Sequence, residues 1–204
     1  MLSIKATSAT QYLEELSSLA LGALVTDKAG NVLSLDQGAE TVIQLILTVR
    51  ESSHKVLLVG NGGSAALVSH TQNDLCKAVD VPAMVFTEQP LLIALANDDG
   101  FGSVYEQPVR LWAQPDDLLI AVSSSGKSEN ILRAVQAAID LGCTVVTFSG
   151  FAPDNPLRKM GDLNFYVSSE VYGYVETAHG SVTHYITDRA MTIIKKQSGA
   201  QAKA

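Results

Sequence analysis

A chain of 204 residues, 47% hydrophobic and 17% charged, can bury one large core and is too apolar to be disordered. Its formal charge of −7 excludes a broad nucleic-acid-binding surface, which needs a field of lysine and arginine. Cys76 and Cys143 stand far apart in apolar contexts, with neither zinc spacing nor a disulfide framework, and read as buried free thiols in a reducing compartment.

Residues 7–24 predict an amphipathic helix, capped by Thr7 or Ser8, with Tyr12, Leu13, Leu16, Leu19 and Leu21 on its apolar face. Polar residues within Leu13 to Leu24 interrupt any signal-peptide pattern, and no run approaches the roughly 20 apolar residues of a membrane span. A soluble, cytoplasmic protein is the expectation. Asp27 to Asn31 predicts a turn. A second helix follows over 36–51, with Ala39, Val42, Ile43, Leu45, Ile46 and Val49 turned inward. Residues 1–54 thus read as an N-terminal helical hairpin whose apolar surface exceeds what one sheet face covers. The excess is assigned to subunit contacts.

From residue 55 onward strands alternate with helices. Strands are predicted at 56–59, 83–86, 118–122, 144–148 and 164–167, and helices at 64–78, 90–96, 103–113, 128–141, 156–160 and 175–196. Near-continuous Val/Leu/Ile strands in such alternation imply a parallel sheet covered on both faces. The fold class is therefore α/β, a doubly wound five-stranded parallel sheet in a flavodoxin-like three-layer sandwich. Residues 55–204 form its core, and no repeat divides the single domain spanning 1–204. Residues 151–160, rich in Pro, Asp and Asn, read as a mobile loop without an assigned role.

Two strand ends carry the chemistry of a phosphate cradle. Val56 to Val59 runs into Gly60-Asn61-Gly62-Gly63-Ser64, and Leu118 to Val122 runs into Ser123-Ser124-Ser125-Gly126-Lys127-Ser128. Small and hydroxyl-bearing residues there bring backbone N–H and side-chain O–H groups to a helix N-terminus, where the dipole favours an anion. The first loop also fits a relaxed G-x-G-x-x-A dinucleotide pattern, but a nicotinamide enzyme has no use for the second. A Walker A reading of Gly126-Lys127-Ser128 fails because position 121 is Ala, so no nucleotide cofactor is expected. Four serine hydroxyls around one glycine suit a single phosphate, whereas capping a helix needs only one. In Asn97-Asp98-Asp99-Gly100, the carboxylates beside a glycine could bind sugar hydroxyls or simply form a turn.

Acid–base groups lie on two helices. His70 and Asp74 are spaced i, i+4 after the first loop. Glu176, His179 and His184 lie along the last helix, Glu176 and His184 being separated by about 12 Å of helix rise. If the two helices face each other, His70, Asp74, Glu176 and His184 supply two imidazoles and two carboxylates. That set suits proton transfer beside a carbonyl, or a divalent metal.

These residues resemble the sugar isomerase (SIS) domain family, and within it the phosphoheptose isomerase branch. G-N-G-G-S followed by His70, the Ser-Ser-Ser-Gly-Lys-Ser loop, and Asn97-Asp98 before Gly and Phe carry the resemblance, which spans nearly the whole chain. It implies a homotetrameric, cytoplasmic aldose–ketose isomerase of heptose biosynthesis for surface polysaccharide. In that resemblance Ser64, Ser123, Ser125 and Ser128, with Gly62, Gly63 and Ser124 in the same loops, hold the phosphate, and Asn61 and Asp98 contact the sugar. Asp74 and His184 are the implied catalytic pair, with Glu176 as a substitute base. In members that bind zinc, the ligands correspond to His70, Asp74, Glu176 and His184. This chain has Asp74 where the family has Glu, Glu176 where it has Gln, and Lys127 where it has Asn. The shorter Asp74 retracts a carboxylate, and Lys127 adds a positive charge beside the serine loop. The competing reading is a non-catalytic SIS module, either a phosphosugar sensor or a scaffold that associates with a replication initiator. Retention of the four acid–base groups favours the enzyme.

Overall fold

The computed structural model describes residues 4–201, so the ends of the expected domain, 1–3 and 202–204, lie outside the described residues. The first helix, α1 (Ala9–Leu21), starts where the Ser8 hydroxyl accepts from the Gln11 amide and stops at Gly22. There the sequence expectation needs correction. Between α1 and α2 (Leu35–Glu51) runs a β-hairpin, β1 (Leu24–Asp27) and β2 (Val32–Leu33), closed by the expected turn at Asp27–Asn31. The two N-terminal helices are therefore not a continuous helical hairpin. α2 opens with a capping box in which the side chains of Ser34 and Gln37 bond each other's backbone amides.

The alternating region follows as β3 (Val56–Gly60), α3 (Gly63–Asp74), β4 (Ala83–Val85), α4 (Gln89–Asp98), α5 (Glu106–Trp112), β5 (Leu118–Ser123), α6 (Glu129–Asp140), β6 (Thr144–Ser149), β7 (Leu163–Tyr166) and α7 (Tyr172–Gln201). α3 passes into one π-helical turn, Leu75–Val79, and a 3₁₀ turn, Phe101–Ser103, precedes α5. The sheet order is β2-β1-β7-β6-β5-β3-β4. The expected five strands are all present and parallel, but β1 adds antiparallel to β7 and carries β2, giving seven strands.

Alternate residues of the buried strands serve two apolar cores. Val56, Leu58, Leu118, Ile120 and Val122 pack under α2, α3 and α7. Leu57, Val59, Leu119 and Ala121 face α5 and α6 on the other side. The strand order reverses between β3 and β5, because the chain leaves β3 for β4 on one side and then crosses to β5 on the other. Gly60 pairs with Val122 in register, so the two loops predicted to hold phosphate emerge side by side at this switch point.

At the opposite end of the sheet, Asp117 is fully buried and joins the approaches to β3 and β5. Its carboxylate accepts from the amides of Lys55 (3.0 Å) and Gln114 (2.8 Å) and from Lys55 Nζ at 2.6 Å. His179, which the sequence placed along one side with Glu176 and His184, instead turns into the core against the stacked Phe148–Phe165 pair. Its Nε2 donates to the Ser149 carbonyl at 3.1 Å, while Nδ1 is buried without a partner among the described residues. Burial of a charged ring is costly, and it lowers the His179 pKa to about 4.

Two stability tests follow from these buried groups. Asp117→Ala strands the Lys55 ammonium and two amides, and is expected to cost about 3–5 kcal/mol in urea unfolding. His179 is neutral in the fold but takes a proton near its ordinary value of 6.5 once unfolded. Stability is thus present above that value and lost as pH falls from 6.5 through about 4. His179→Leu should flatten that slope in urea midpoints measured across the same window; an unchanged slope rejects the assignment.

Candidate active site

Both loops open onto one cleft of about 360 Å³, lined by Asn61 to Ser64, by Ser123 to Ser125 with Ser128, and by Tyr172 and Glu176 from α7. Seven of the predicted phosphate-loop residues (Gly62, Gly63, Ser64, Ser123, Ser124, Ser125 and Ser128) therefore share a wall with Asn61. Gly63 lies directly under Glu176: a Cβ there would overlap the Glu176 carboxylate and force that side chain aside. Gly126 is required twice over. Its φ is +62°, and an added Cβ would collide with the Asn155 side chain.

Asn155 is fully buried beneath the serine loop, and its Nδ2 donates to Ser149 Oγ and to the carbonyls of Gly150 and Ala152. The Leu157 amide donates to the Gly126 carbonyl at 3.1 Å. Segment 151–160 thus has a structural task that its composition did not reveal: it buttresses the turn that faces the cleft.

The serine hydroxyls are not spent on helix capping. Ser128 stands at the N-cap of α6 but makes no side-chain capping bond; its Oγ lies 3.4 Å from Ser123 Oγ. The Ser125 hydroxyl accepts from the Lys127 amide at 3.3 Å. Ser124 Oγ is buried with no hydrogen-bond partner among the described residues. α3 likewise begins without a side-chain cap. Two helix N-termini and an unpartnered hydroxyl, together in one cleft, form an incomplete anion site.

The acid–base groups divide into two sets. His70, Asp74 and His184 bring one ligand atom each within 4.8 Å of one another. Asp74 Oδ2 lies 3.5 Å from His70 Nε2 and 3.6 Å from His184 Nδ1. A tetrahedral zinc ion with ligands at about 2.0–2.1 Å holds them about 3.3–3.4 Å apart, so this mixed nitrogen and oxygen set has the donor chemistry for such an ion, with the two Asp74 contacts already near that spacing and the wider 4.8 Å span of the set left to close. Glu176, predicted as a fourth ligand, is not in that cluster; it lines the cleft over Gly63. Partial burial raises its carboxyl pKa above the ordinary 4.5.

Asp98 ends α4, is exposed, accepts from the Asn97 amide at 2.7 Å, and does not line the cleft. Lys127 is exposed and does not line the cleft. Tyr172 is a cleft residue that sequence reasoning missed. It packs edge-on against Phe151 at 4.8 Å, and no charge or motif at the start of α7 pointed to it.

A profile of the SIS domain matches residues 32–150, more than half of the chain and the part that carries both loops. The chain belongs to the SIS domain family. Within the family it is similar to the phosphoheptose isomerase of Syntrophotalea carbinolica, at 33% identity over 80% of this chain and 85% of that one. Similarity to the Aquifex aeolicus phosphoheptose isomerase is 31%, over 77% and 85% of the two chains. Among solved structures, the phosphoheptose isomerase from Neisseria gonorrhoeae superposes with a TM-score of 0.72 at 27% identity, covering 76% of this chain and 87% of that one. The Francisella tularensis phosphoheptose isomerase shares the fold at a TM-score of 0.77 and 24% identity, over 90% and 96%. This SIS chain is accordingly an enzyme, an isomerase acting on phosphosugars. No described helix is long and apolar enough to cross a membrane.

Gly126→Ala tests the serine turn directly. The left-handed backbone alone costs roughly 1–2 kcal/mol for a residue bearing a Cβ, before Asn155 is displaced. If the empty variant turn relaxes away from this conformation and phosphate must restore it, that cost appears in binding, and titration with inorganic phosphate should show about tenfold weaker affinity, since 1.4 kcal/mol is one decade. Unaltered phosphate affinity would separate this turn from anion binding.

Proposed function

We propose that this isomerase interconverts sedoheptulose 7-phosphate and D-glycero-D-manno-heptose 7-phosphate, or a closely related pair, through an enediol. The observation that carries the phosphate end is the buried, unpartnered Ser124 hydroxyl between two uncapped helix starts. The relatives' common name, phosphoheptose isomerase, supports a seven-carbon sugar.

Phosphate held by Ser64, Ser123, Ser124, Ser125 and Ser128 anchors one end of the substrate and spends binding energy on orienting the rest. The reactive carbons then lie toward α7. Glu176 faces the cleft, and its raised pKa matches a group that takes a proton from one carbon and returns it to the next. The sequence favoured Asp74 for that role; its contacts with both histidines support a different division of labour. His184, with Asp74 behind it, moves protons at the carbonyl and hydroxyl oxygens. The Asp74 oxygen that lies beside both His70 and His184 also makes these three the residues that would hold zinc. When bound, zinc supplies a Lewis acid that polarises the substrate oxygens.

A homotetramer, cytoplasmic and devoted to surface-polysaccharide heptose, completes the proposal. Supporting self-association, Leu21 on α1 and Tyr185 on α7 are exposed at an apolar groove between α1, α2 and α7, and Leu13 is exposed further along α1.

A panel of ketose and aldose phosphates, seven-carbon sugars first, with and without zinc and followed by NMR, tests the reading. Glu176→Ala, rather than the Gln that the family carries at this position, should lower kcat about 10²–10⁴-fold with KM little changed, as expected for loss of one acid–base group beside a shortened Asp74. The acid limb of the wild-type kcat profile should lie above the ordinary 4.5, because deprotonated Glu176 is the active form. Binding of the panel without any interconversion would replace the enzyme with a phosphosugar-binding module.

A further inference from the structure

Asn61 is the first residue beyond β3, and Asn130 lies in the first turn of α6, just beyond the serine loop. They stand on the two elements that flank the switch point, and their carboxamides meet face to face. Asn61 Nδ2 donates to Asn130 Oδ1 at 2.9 Å, and Asn130 Nδ2 donates to Asn61 Oδ1 at 2.9 Å. Asn130 is 2% exposed, so its side of the pair is shielded from competing water, while Asn61 is half-buried at the cleft.

The orientation of both amides is determined. The Ile131 backbone N–H also donates to Asn130 Oδ1, at 3.0 Å. Turning the Asn130 amide over would set an NH₂ against that N–H and against the Asn61 NH₂, leaving buried donors facing donors. Backbone geometry at the start of α6 thus dictates which way Asn130 points, and Asn130 in turn dictates Asn61. Each primary amide has two N–H donors and two oxygen lone pairs. The reciprocal pair consumes one of each on Asn61, leaving one N–H and one lone pair for the cleft that Asn61 lines.

We propose that Asn130 is a positioning residue: its reciprocal amide pair with Asn61 fixes the aim of the Asn61 carboxamide and the spacing of the two loops, so that one phosphosugar meets both. Asn130 does not line the cleft and acts only through Asn61. The inference rests on the reading of this cleft as a phosphosugar site. It adds a specificity consequence: Asn61 offers a donor and an acceptor in fixed directions, suited to a sugar carbon bearing a hydroxyl or carbonyl next to the phosphate arm.

A double-mutant cycle on Asn61→Ala, Asn130→Ala and the pair tests it, with calorimetric binding of sedoheptulose 7-phosphate and of inorganic phosphate as readouts, beside kcat, KM and thermal melting. Asn130→Ala should weaken sugar phosphate binding about tenfold, as removal of an oriented hydrogen bond does. Its effect should appear in Kd and KM more than in kcat, and the double variant should bind within about twofold of Asn61→Ala alone, because coupled residues are non-additive. Losses that multiply in the double variant, or a lowered melting temperature with unchanged affinity in the folded protein, overturn the positioning role. Should Asn130→Ala fail to fold, Asn130→Ser carries the same cycle. Coupling in the binding data of a protein that isomerises no sugar would sustain the positioning role while ending the isomerase reading. Turnover without coupling would do the reverse.

Discussion

Helices α3 and α6 begin side by side where the order of strands reverses, and neither start is capped by a side chain. Free amides at a helix start must find a partner, and here the geometry points two sets of them at one cleft. The remainder of the molecule can be understood as holding that arrangement in place. The two apolar cores fix β3 and β5 as neighbours, and Asp117 ties their approaches together at the far end of the sheet. Asn155 fills the space under Gly126, and the Asn61–Asn130 pair joins the two loops across their tops.

A single helix, α7, then supplies most of the chemistry along its length. Tyr172 and Glu176 reach the cleft near its start, His179 turns inward to hold the end of β6, and His184, about two turns beyond Glu176, meets α3. Because neighbouring positions on one helix point in different directions, a single stretch of sequence can contribute a wall, a buried anchor and a proton-handling group. Glu176 and Asp74, which the sequence grouped as one ligand set, separate in space because Glu176 packs at the start of α3 and Asp74 stands at its end. Glu176 lies over Gly63 close to the phosphate loops, whereas Asp74 sits at the last turn of α3 between two imidazoles.

Much of this was readable beforehand because its signals are local. Unbroken Val/Leu/Ile runs marked the five parallel strands, and loop composition marked the serine and glycine turns. The β1–β2 hairpin was not readable: Leu24-Val25 continues the apolar pattern of α1, and only Gly22 hints at a break. The π-helical turn after Asp74 leaves no compositional trace. Asn130, Asn155 and Tyr172 escaped notice for a related reason. Their importance depends on partners as distant as Asn61, 69 positions away from Asn130, and nothing in their own neighbourhoods announces it.

The hairpin that was missed has a consequence for how molecules of this protein can meet. Without it, β7 would present a four-residue parallel strand with one row of unpaired backbone groups. With it, the outermost strands are two residues at β2 and three at β4, too short to template a neighbour. Sheet-to-sheet polymerisation is thereby discouraged.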